Sequence, residues 1–477
     1  MSEKLIDSLM EKRFAELKEA QQMFERKNQI LIPKIQRVPK FLRQNERFYK
    51  YCSPKIISFG PIHHRNKNLK VGDQYKLLWT SIFVAEYGNK FDQDANEACR
   101  LLLKKIEDNI EELKNMFTED VIEGYKDSDL AWILFVDGCS LLYFMENVDD
   151  RCPEALNLKF DQLMYIWRDI MLLENQLPTE LLEILCKDWG PKLGFLFENY
   201  QGLGECKRNG MVVIPLENSK PFHILDSSRL MYLSSSQITL NSKENNQMVT
   251  QSKENEHNQM EINTILNQDV GDEQEVDWNW NTYKSIRDLK TVGIRVTTNK
   301  TDEWTWSNIS FKSNWFSGEL RLPVFCFNDV TPYFFRNLIA YEMCPDVQYN
   351  YECCSFFTFM DSLVDNAEDV KELRSAGVFQ NLLGSDEDLA KLFNELGDDL
   401  PTKMYCNNSY TNAVAYSKKY ILIKLQIEKH YTNKWKTWLA QAYNTHFNTP
   451  WAMIAFLAAS LALVLTFIQT WFAIHPK

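Results

Sequence analysis

The sequence predicts a mainly α-helical protein with a small β component (α+β), in which a large helical body is followed by a C-terminal transmembrane helix. Three patterns support this class. Apolar residues recur at three- and four-residue steps over most of the chain, which is typical of helices. Alternation of apolar and polar residues, which is typical of strands, is confined to positions 309–327. The stretch from Trp451 to Ile474 contains no Asp, Glu, Lys or Arg.

Composition and charge limit the possible functions. The 477 residues are 45% hydrophobic and carry a formal net charge of −12. This is enough apolar material for one large helical body or for two packed units. The acidic balance argues against nonspecific binding to nucleic acid, because such binding needs a basic surface. The first residues, MSEKLIDSLMEKRF, lack the apolar core of a signal peptide.

The eleven cysteines are scattered along the chain and form no C-x-x-C pair. This pattern favours reduced, mostly buried thiols and offers no spacing for structural zinc or a redox dithiol. The sequence also lacks a phosphate loop, a dinucleotide fingerprint and a recognisable nucleophile–base set. We therefore expect no catalytic, metal-binding or cofactor-binding residues, no small-molecule ligand and no nucleic-acid partner.

Residues 1–30 are predicted to form an N-terminal amphipathic helix, which the chain can use in two ways. Its apolar members recur at roughly helical spacing, and they are Leu5, Leu9, Phe14, Leu17 and Phe24. The helix suits either a place on the surface of the protein's own body or docking to a partner.

Residues 31–233 form the first part of the predicted body, which begins with a proline-rich stretch. Prolines exclude a long helix here, and Gly60, Pro61, His63 and His64 predict a compact, ordered loop. The adjacent histidines allow two interpretations, an acid–base or metal site and structural hydrogen bonding within the loop. The structural role is favoured, because adjacent side chains seldom point into one ion site and no third ligand follows at a recognisable spacing.

This stretch carries a resemblance to a known family. VPKFLR and CSPKIISFGPIHH resemble the opening of the plant "domain of unknown function 247" family (UPF0481-type proteins), whose members read V-S-I-G-P-Y-H-H there. Phe59 and Ile62 depart from that pattern, and GDQYKLLW replaces the family's Met-Glu-x-x-Lys helix. The resemblance implies a single-pass membrane protein of plants and implies no reaction.

Helical patterns continue to about residue 145. The first has a half-exposed apolar face that contains Leu101, Leu102, Ile106, Ile110, Leu113 and Phe117. The next, LAWILFVDGCSLLYFM, can be capped by Asp127, Ser128 or Asp129. It is apolar nearly all round, but it is short and interrupted by Asp137, so a buried helix is predicted rather than a membrane span.

Leu172 to Pro178 match the family motif L-L-E-N-Q-[LI]-P at every position. Glu174, Asn175 and Gln176 lie between apolar helical halves, just before Pro178, which ends or kinks a helix. Buried polar side chains at such a place need partners. The favoured interpretation is a helix break held together by side-chain hydrogen bonds, and the alternative is a Glu174 general base beside amide donors.

Residues 234–277 change in composition and divide the body. They are rich in Ser, Asn, Gln and acids, contain no aromatic residue, and repeat SKEN within a short local duplication. Such a stretch cannot bury enough apolar surface to offset its ordering entropy. We predict a disordered polar and acidic insertion.

Residues 278–446 are predicted to form a C-terminal α+β part of the family domain. Alternation at positions 309–327 predicts strands, with Ser317 and Gly318 as a turn. TPYFFRNLIAYEMC then predicts a helix that begins near Pro332. It resembles the family's T-E-x-x-F-R-N-L-I-A-F-E-Q-C, with Arg336 and Asn337 at the matching positions. Further helices are predicted at 356–364, at 386–396 after a Ser385 cap, and at 410–445.

The stretch 451–474 is predicted to cross a membrane once. Its 24 residues reach about 36 Å as a helix, against about 30 Å for a hydrocarbon core. Trp451 and Trp471 stand near its ends, where indoles prefer the interface. Lys434 and Lys436 before the span, weighed against Lys477, mildly favour a cytosolic body. The sequence leaves plasma membrane and endomembrane equally open.

The functional expectation is a membrane-anchored recognition or scaffold protein that is not an enzyme. Family members at grass self-incompatibility loci are implicated as male recognition determinants, so the resemblance implies protein partners, including oligomers with a second family member. An enzyme of unrecognised class that uses His63, His64 and Glu174 is the alternative. Pore formation would require oligomers, because one span without ionisable groups cannot line an aqueous path.

Overall fold

The chain is mainly helical with a small β component, as the sequence predicts. The computed structural model describes residues 10–21, 32–149, 152–189, 193–194, 196–197, 220–233, 285–299, 306, 308–315, 317–347, 351–398, 400, 417–433, 435 and 450–475. It forms two compact units. Unit 1 comprises Met1–Lys207, Val213–Met231 and Val330–Cys353, and unit 2 comprises Arg208–Val212, Tyr232–Asp329 and Cys354–Lys477.

The described part of unit 1 contains helices and no named strand. In chain order they are α1 (10–21), α2 (Lys40–Arg43), α3 (Glu46–Tyr49), α4 (Lys70–Lys90), α5 (Ala95–Asp108), α6 (Ile110–Asn115), α7 (Glu119–Ile122), α8 (Asp127–Asn147), α9 (Phe160–Ile170), α10 (Thr179–Cys186), α11 (Ile224–Leu233, whose last two residues fall to unit 2) and, after the first strands of unit 2, α13 (Thr331–Glu342). Short 3₁₀ turns at Lys67–Leu69, Pro153–Leu156 and Leu173–Asn175 interrupt the series.

Helix α8 is the core of unit 1, which confirms the prediction of a buried helix. Its residues from Leu130 to Met145 are buried with the exception of the exposed Trp132. The first turn carries Asp127 and Asp129, which favour a helix N-terminus. Gly138 leaves room for α10, since a Cβ there would lie 2.5 Å from Cδ1 of Leu185. This helix passes a length-and-hydropathy test for a span, but 83% of its apolar window is buried inside the protein.

The apolar pattern at positions 101–117 belongs to two helices. Asn109 ends α5, and its backbone N–H donates to the Ile106 carbonyl at 3.1 Å. Leu102, Ile106 and Leu113 are fully buried, whereas Leu101 is exposed. The apolar residues of α6 continue the three- and four-residue spacing of α5, so the sequence pattern alone does not reveal the break between the two helices.

Unit 2 combines the remaining helices with two small sheets. Its elements are α12 (Ile286–Thr291), β1 (Ile294–Thr298), β2 (Ser310–Ser313), β3 (Gly318–Leu322), β4 (Phe325–Phe327), α14 (Glu352–Leu363, whose first two residues fall to unit 1), α15 (Ala367–Ser375), β5 (Phe379–Asn381), α16 (Asp386–Asp398), α17 (Lys418–Tyr431) and α18 (Pro450–Ile474). Ser385 caps α16 as predicted, because its hydroxyl accepts from the Asp388 amide at 3.1 Å.

The three-stranded sheet has the order β1-β3-β2, with β1 parallel and β2 antiparallel to β3. The strands β2, β3 and β4 fall within the predicted β region, whereas the sequence pattern missed β1. Ser317 lies in the connection as predicted, but Gly318 is the first residue of β3. A Cβ at Gly318 would lie 2.8 Å from Cγ1 of Ile294 and 2.9 Å from the Phe311 ring, so the close packing of three strands requires glycine there.

Helix α18 begins at Pro450, as predicted, and runs to Ile474 without an ionisable residue. Its window Ile454–Trp471 is long and apolar enough to span a membrane, and none of it is buried inside the protein. It is the only C-terminal helix of that kind in the described residues. The predicted insertion at 234–277 lies outside the described residues, as do most of 1–30 and the helix ends predicted near 410 and 445.

The nine cysteines in the described residues are all free thiols. Cys52, Cys139, Cys344, Cys353 and Cys354 are fully or almost fully buried. This bears out the expectation of mostly buried thiols for that part of the chain.

Candidate functional site

The polar residues that carry the family resemblance meet in unit 1. Two loops bring them together, and we call them the histidine loop (residues 50–64) and the LENQ turn (residues 172–178). The LENQ turn follows α9, where the helix ends at Ile170 and the chain passes through the 3₁₀ turn Leu173–Asn175. Pro178 then starts the approach to α10 with extended backbone.

Glu174 is completely buried and faces four groups. Its Oε1 accepts the Val38 amide at 2.8 Å and lies 3.3 Å from the Arg43 guanidinium. Its Oε2 accepts the Tyr49 hydroxyl at 3.4 Å and lies 3.0 Å from Nε2 of His63. The His63 contact is close, but it is not aligned as a hydrogen bond. The buried carboxylate therefore accepts three hydrogen bonds, one of them from a cation, the Arg43 guanidinium.

Asn175 joins the LENQ turn to the histidine loop. Its Oδ1 accepts the Phe59 amide at 2.6 Å. Its Nδ2 donates to the Ile57 carbonyl at 3.2 Å and to the Asp169 carbonyl at 2.8 Å. One side chain thus satisfies backbone groups of the histidine loop and of the last turn of α9, which would otherwise lack partners.

Gln176 closes the helix break in the same way. Its Nε2 donates to the Ile170 and Leu172 carbonyls at 2.6 and 2.8 Å, where α9 has ended. Its Oε1 accepts the Leu225 amide at 3.1 Å, in the first turn of α11. These bonds supply the partners that the sequence predicts for polar side chains at a helix break.

Asp169 holds the start of the histidine loop. Its Oδ2 accepts three consecutive amides, those of Lys55, Ile56 and Ile57, at 2.9, 2.7 and 3.2 Å. Its Oδ1 lies 2.9 Å from the Arg168 guanidinium. A carboxylate surrounded by successive N–H groups fixes the path of a loop that has no regular hydrogen bonding of its own.

Asp137 and Lys76 hold the other end of the histidine loop. Lys76 Nζ lies 2.8 Å from Asp137 Oδ1 and donates to the Ser58 carbonyl at 2.8 Å. Asp137 Oδ2 accepts the Gly60 amide at 2.8 Å. Burial raises the pKa of Asp137, and the Lys76 ammonium opposes the rise. Asp137, the one charged residue in the buried part of α8, therefore attaches the loop to the helical core.

Two glycines let the backbone of the histidine loop approach closely. Gly60 has a φ of +74°, and a Cβ there would lie 3.1 Å from the Gln176 carbonyl oxygen. Gly72 lies in the first turn of α4, where a Cβ would be 2.6 Å from Cα of Ile57. Glycine is favoured at Gly60 by its positive φ, and it is required at Gly72 because the backbone of the loop lies too close for a side chain.

Asn337 and Arg336 bring α13 to the same loops. Asn337 Oδ1 accepts the Leu173 amide at 2.8 Å, and its Nδ2 donates to the Tyr51 carbonyl at 3.0 Å and the Tyr333 carbonyl at 2.8 Å. The Arg336 guanidinium lies 4.1 Å from the centroid of the Tyr51 ring, a cation–π contact. Both family-motif residues of this helix therefore contact the histidine loop.

The two histidines face different carboxylates. His63 lies beside Glu174, whereas the charge of His64 is among those that lower the pKa of Asp137. Among the described residues no three His, Cys, Asp or Glu side chains are grouped so that they could hold a metal ion. The structure thus brings His63 and Glu174 together and assigns no common ion to the histidine pair.

Cys52 is a potential nucleophile in the histidine loop, and it lies near enough to Glu174 for the carboxylate charge to affect its thiol. Burial raises the pKa of the Cys52 thiol, and Glu174 raises it further. Its Sγ points to the Phe48 carbonyl at 3.8 Å. The thiol is therefore protonated at neutral pH, and a protonated thiol is a poor nucleophile.

Sequence reasoning missed several members of this network. Asp169 and Lys76 were not singled out, nor was the buried pair in which Arg229 lies 2.9 Å from Glu342. Asp169 and Glu342 are charged residues set within apolar helical runs, IWRDIMLL and LIAYEMC. Such isolated charges are the signal that could have identified them, because a buried charge needs a partner.

The same motifs are those by which the chain matches a known family. A model of plant proteins of unknown function, DUF247, matches residues 35–465. The chain belongs to the DUF247 family. The match covers the histidine loop, the LENQ turn, α13 and most of α18.

Two relatives from Arabidopsis thaliana extend this finding over nearly the whole chain. The UPF0481 protein At3g47200 is 26% identical over 457 aligned positions, and the alignment covers 92% of this chain and 86% of the relative. The putative UPF0481 protein At3g02645 is 24% identical over 495 aligned positions, covering 87% of this chain and 86% of the relative. No solved structure matches the chain. The family is one of plant proteins without an established reaction.

Proposed function

We propose that this DUF247 protein is a membrane-anchored, non-enzymatic protein that recognises protein partners, with its body on the cytosolic side. Helix α18 is the observation that carries the proposal. Its 25 residues include no ionisable group, and its described side chains are exposed along almost the whole length. Trp451, for example, is 79% exposed and Leu463 is 72% exposed. A helix that is apolar all round is stable when lipid covers it.

The dimensions of α18 support a single crossing. Twenty-five residues extend about 38 Å, and the hydrocarbon core is about 30 Å thick. Trp451 and Trp471 lie near opposite ends of the helix, at the depth that indole rings prefer. Lys434 and Lys436 precede it and favour a cytosolic body, in accordance with the positive-inside rule.

The geometry of the candidate site supports a role without catalysis. Both oxygens of Glu174 accept hydrogen bonds, and the amides of Asn175 and Gln176 are bonded to backbone groups. A general base must reach a substrate proton, which a carboxylate with no exposed surface cannot do without rearrangement. The motif residues are better suited to fixing the shape of unit 1, so that its surface can be recognised.

Membrane anchoring is tested by extraction at alkaline pH. We expect the full-length protein to stay in the membrane pellet. The double variant Leu461→Arg/Leu465→Arg should move to the soluble fraction, because each arginine near the centre of a span costs about 3 kcal/mol. His475→Arg, at the first residue after α18, is the matched control and should stay in the pellet. Equal extraction of all three proteins would contradict the anchor.

Orientation and recognition are tested together in plant tissue. A labelling enzyme fused to the N-terminus should biotinylate cytosolic proteins, and a specific set of partners should be lost when the folded body is destabilised. Glycosylation of a sequon at Asn299, Asn308 or Asn407 would contradict a cytosolic body. A strictly monomeric protein in detergent, from which affinity capture recovers no partner, would contradict recognition.

A second function is favoured by one observation, the 3.0 Å separation between His63 Nε2 and Glu174 Oε2. This pair, with His64 nearby in the chain, could serve an enzyme of unrecognised class as an acid–base site. Acylation of histidines by diethyl pyrocarbonate discriminates between the two functions. If the pair is structural, His63 should react far more slowly in the folded protein than in urea, whereas exposed His475 should react at similar rates in both. Fast modification of His63 in the folded protein would favour the enzyme.

A further inference from the structure

The connection between β2 and β3 presents a large aromatic side chain to solvent. The Asn314 amide donates to the Ser317 carbonyl at 2.7 Å and closes a four-residue connection between antiparallel strands. Trp315 lies within it and is 85% exposed. Hairpin connections favour Gly, Asn, Asp, Pro and Ser, so the geometry of the turn does not explain a tryptophan at this position. An exposed tryptophan is typical of a contact surface.

The hairpin packs on the end of α17. Ser313 Oγ and His430 Nδ1 are 2.8 Å apart, and the Phe311 and His430 rings meet edge to face at 5.9 Å. His430 is the penultimate residue of α17. The tip that carries Trp315 therefore lies beside the C-terminal end of this helix, within unit 2.

The chain that leaves α17 leads to the proposed membrane span. Trp435 follows four residues after Tyr431 and is 81% exposed, and α18 begins at Pro450. From Lys429 to the start of α18 at Pro450 the sequence contains three lysines and no Asp or Glu, in a chain of net charge −12. Tryptophan with lysine next to an apolar helix is the composition found at the surface of an anionic bilayer.

We propose that Trp315 inserts into the headgroup region of an anionic lipid bilayer, the same bilayer that α18 crosses. The inference rests on the proposed anchoring and adds a second contact between unit 2 and the membrane. The indole would lie at the depth where its N–H remains hydrated and its ring is covered by lipid. Lys429, exposed in the last turn of α17, would meet the phosphates.

The test places an environment-sensitive fluorescent amino acid at position 315 of the full-length protein in proteoliposomes. The control protein carries the same label at position 382, where Leu382 is 65% exposed in unit 2. Vesicles contain phosphatidylcholine with or without phosphatidylserine, and a brominated phosphatidylcholine acts as the quencher. Circular dichroism verifies that each labelled protein is folded, and alkaline extraction verifies that it is anchored.

We expect the emission of the label at 315 to shift to the blue and to lose at least half of its intensity in anionic vesicles. The loss should be clearly smaller without phosphatidylserine, and the label at 382 should show neither change. Anchored protein whose label at 315 behaves like that at 382 would overturn the inference while leaving the anchor intact. Failure of alkaline-resistant reconstitution would instead overturn the proposed function. A blue shift that depends on the density of the protein in the vesicle, and not on the lipid composition, would show that Trp315 contacts a second copy of the chain. That result would also overturn the inference.

Discussion

Glu174 joins four separate positions of the chain through one buried carboxylate. Its carboxylate contacts the Val38 amide, the Arg43 guanidinium, the Tyr49 hydroxyl and the His63 ring without any exposed surface of its own. Removing a buried charge from such a place leaves the remaining donors without an acceptor, which costs more than the hydrogen bonds themselves contributed.

We therefore predict that Glu174→Ala lowers the free energy of unfolding of the protein by about 3 kcal/mol. The measurement is urea denaturation in detergent, followed by near-ultraviolet circular dichroism. Glu111→Ala is the control, because that side chain is 76% exposed and pairs with Lys114 at 3.4 Å on the surface. Its effect should stay within about 0.5 kcal/mol. Equal effects of the two changes would show that Glu174 is not a structural centre.

The sequence identified which residues of the LENQ turn need partners, but it could not identify the partners. Glu174 bonds to an amide 136 positions away, and Asn175 bonds to one 116 positions away. Residue type and local spacing carry no information about contacts at such separations. Gly72 illustrates the same limit. Glycine disfavours helices, and only the path of the histidine loop explains its place in the first turn of α4.

Among the elements, α11 depends on an unusual cap. The Asp226 amide donates to His223 Nδ1 at 3.0 Å, and the Asp226 carboxylate accepts the Phe222 amide at 2.9 Å. His223 thus serves the first turn of the helix as an N-cap acceptor, a role usually held by Ser, Thr, Asp or Asn. The ring is buried and meets Tyr341 edge to face at 4.7 Å.

This cap predicts a pH-dependent stability. Burial lowers the pKa of His223 from its usual 6.5 to about 4. Between these two values the unfolded chain binds more protons than the folded chain, so the free energy of unfolding falls as the pH falls. The effect of His223 on the free energy of unfolding does not change with pH above 6.5. Between pH 6.5 and about pH 4 the free energy of unfolding falls by roughly 3 kcal/mol in total through this one residue.

His223→Asn retains a capping acceptor and removes the titrating ring. We expect this variant to lose much of the decline in melting temperature that the unaltered protein shows between pH 7 and pH 5. His475→Asn changes an exposed histidine and should retain the full decline. If His223→Asn and the unaltered protein decline in parallel, His223 is not the group responsible.

Element types were easier to predict than element ends. The helices α8, α13 and α16 and the strands β2 and β3 follow from periodicity and capping residues. The break at Asn109 does not, because α5 and α6 keep one apolar face. Strand β1 was missed because only its first residue, Ile294, is buried, so no alternation of buried and exposed residues develops along it.

Unit 1 is discontinuous in sequence. Its residues 330–353 follow the first strands of unit 2 along the chain. That segment supplies Asn337 to the two loops and Glu342 to buried Arg229. A break of the chain in the predicted insertion therefore separates parts of one compact unit.

We predict that residues 1–233 do not fold when produced alone, because Arg229 then lacks its carboxylate and the Leu173 amide lacks its acceptor. Co-production with residues 278–477 should restore the native near-ultraviolet circular dichroism of unit 1. The variant Glu342→Ala in the second fragment should weaken this restoration, and Glu372→Ala, which removes an exposed partner of Lys290, should not. A stably folded 1–233 fragment would contradict the discontinuous unit.

The discontinuous course of unit 1 also sets an order of events on the ribosome. Asn337 is made 164 residues after Leu173, which corresponds to about 10–30 s at the usual rates of synthesis. During that interval the histidine loop and the LENQ turn lack one of their attachments, so the nascent unit stays open. The attachment then arrives well before Pro450, the first residue of α18. Unit 1 can therefore close while the apolar helix is still unmade, and a finished body can precede its anchor to the membrane.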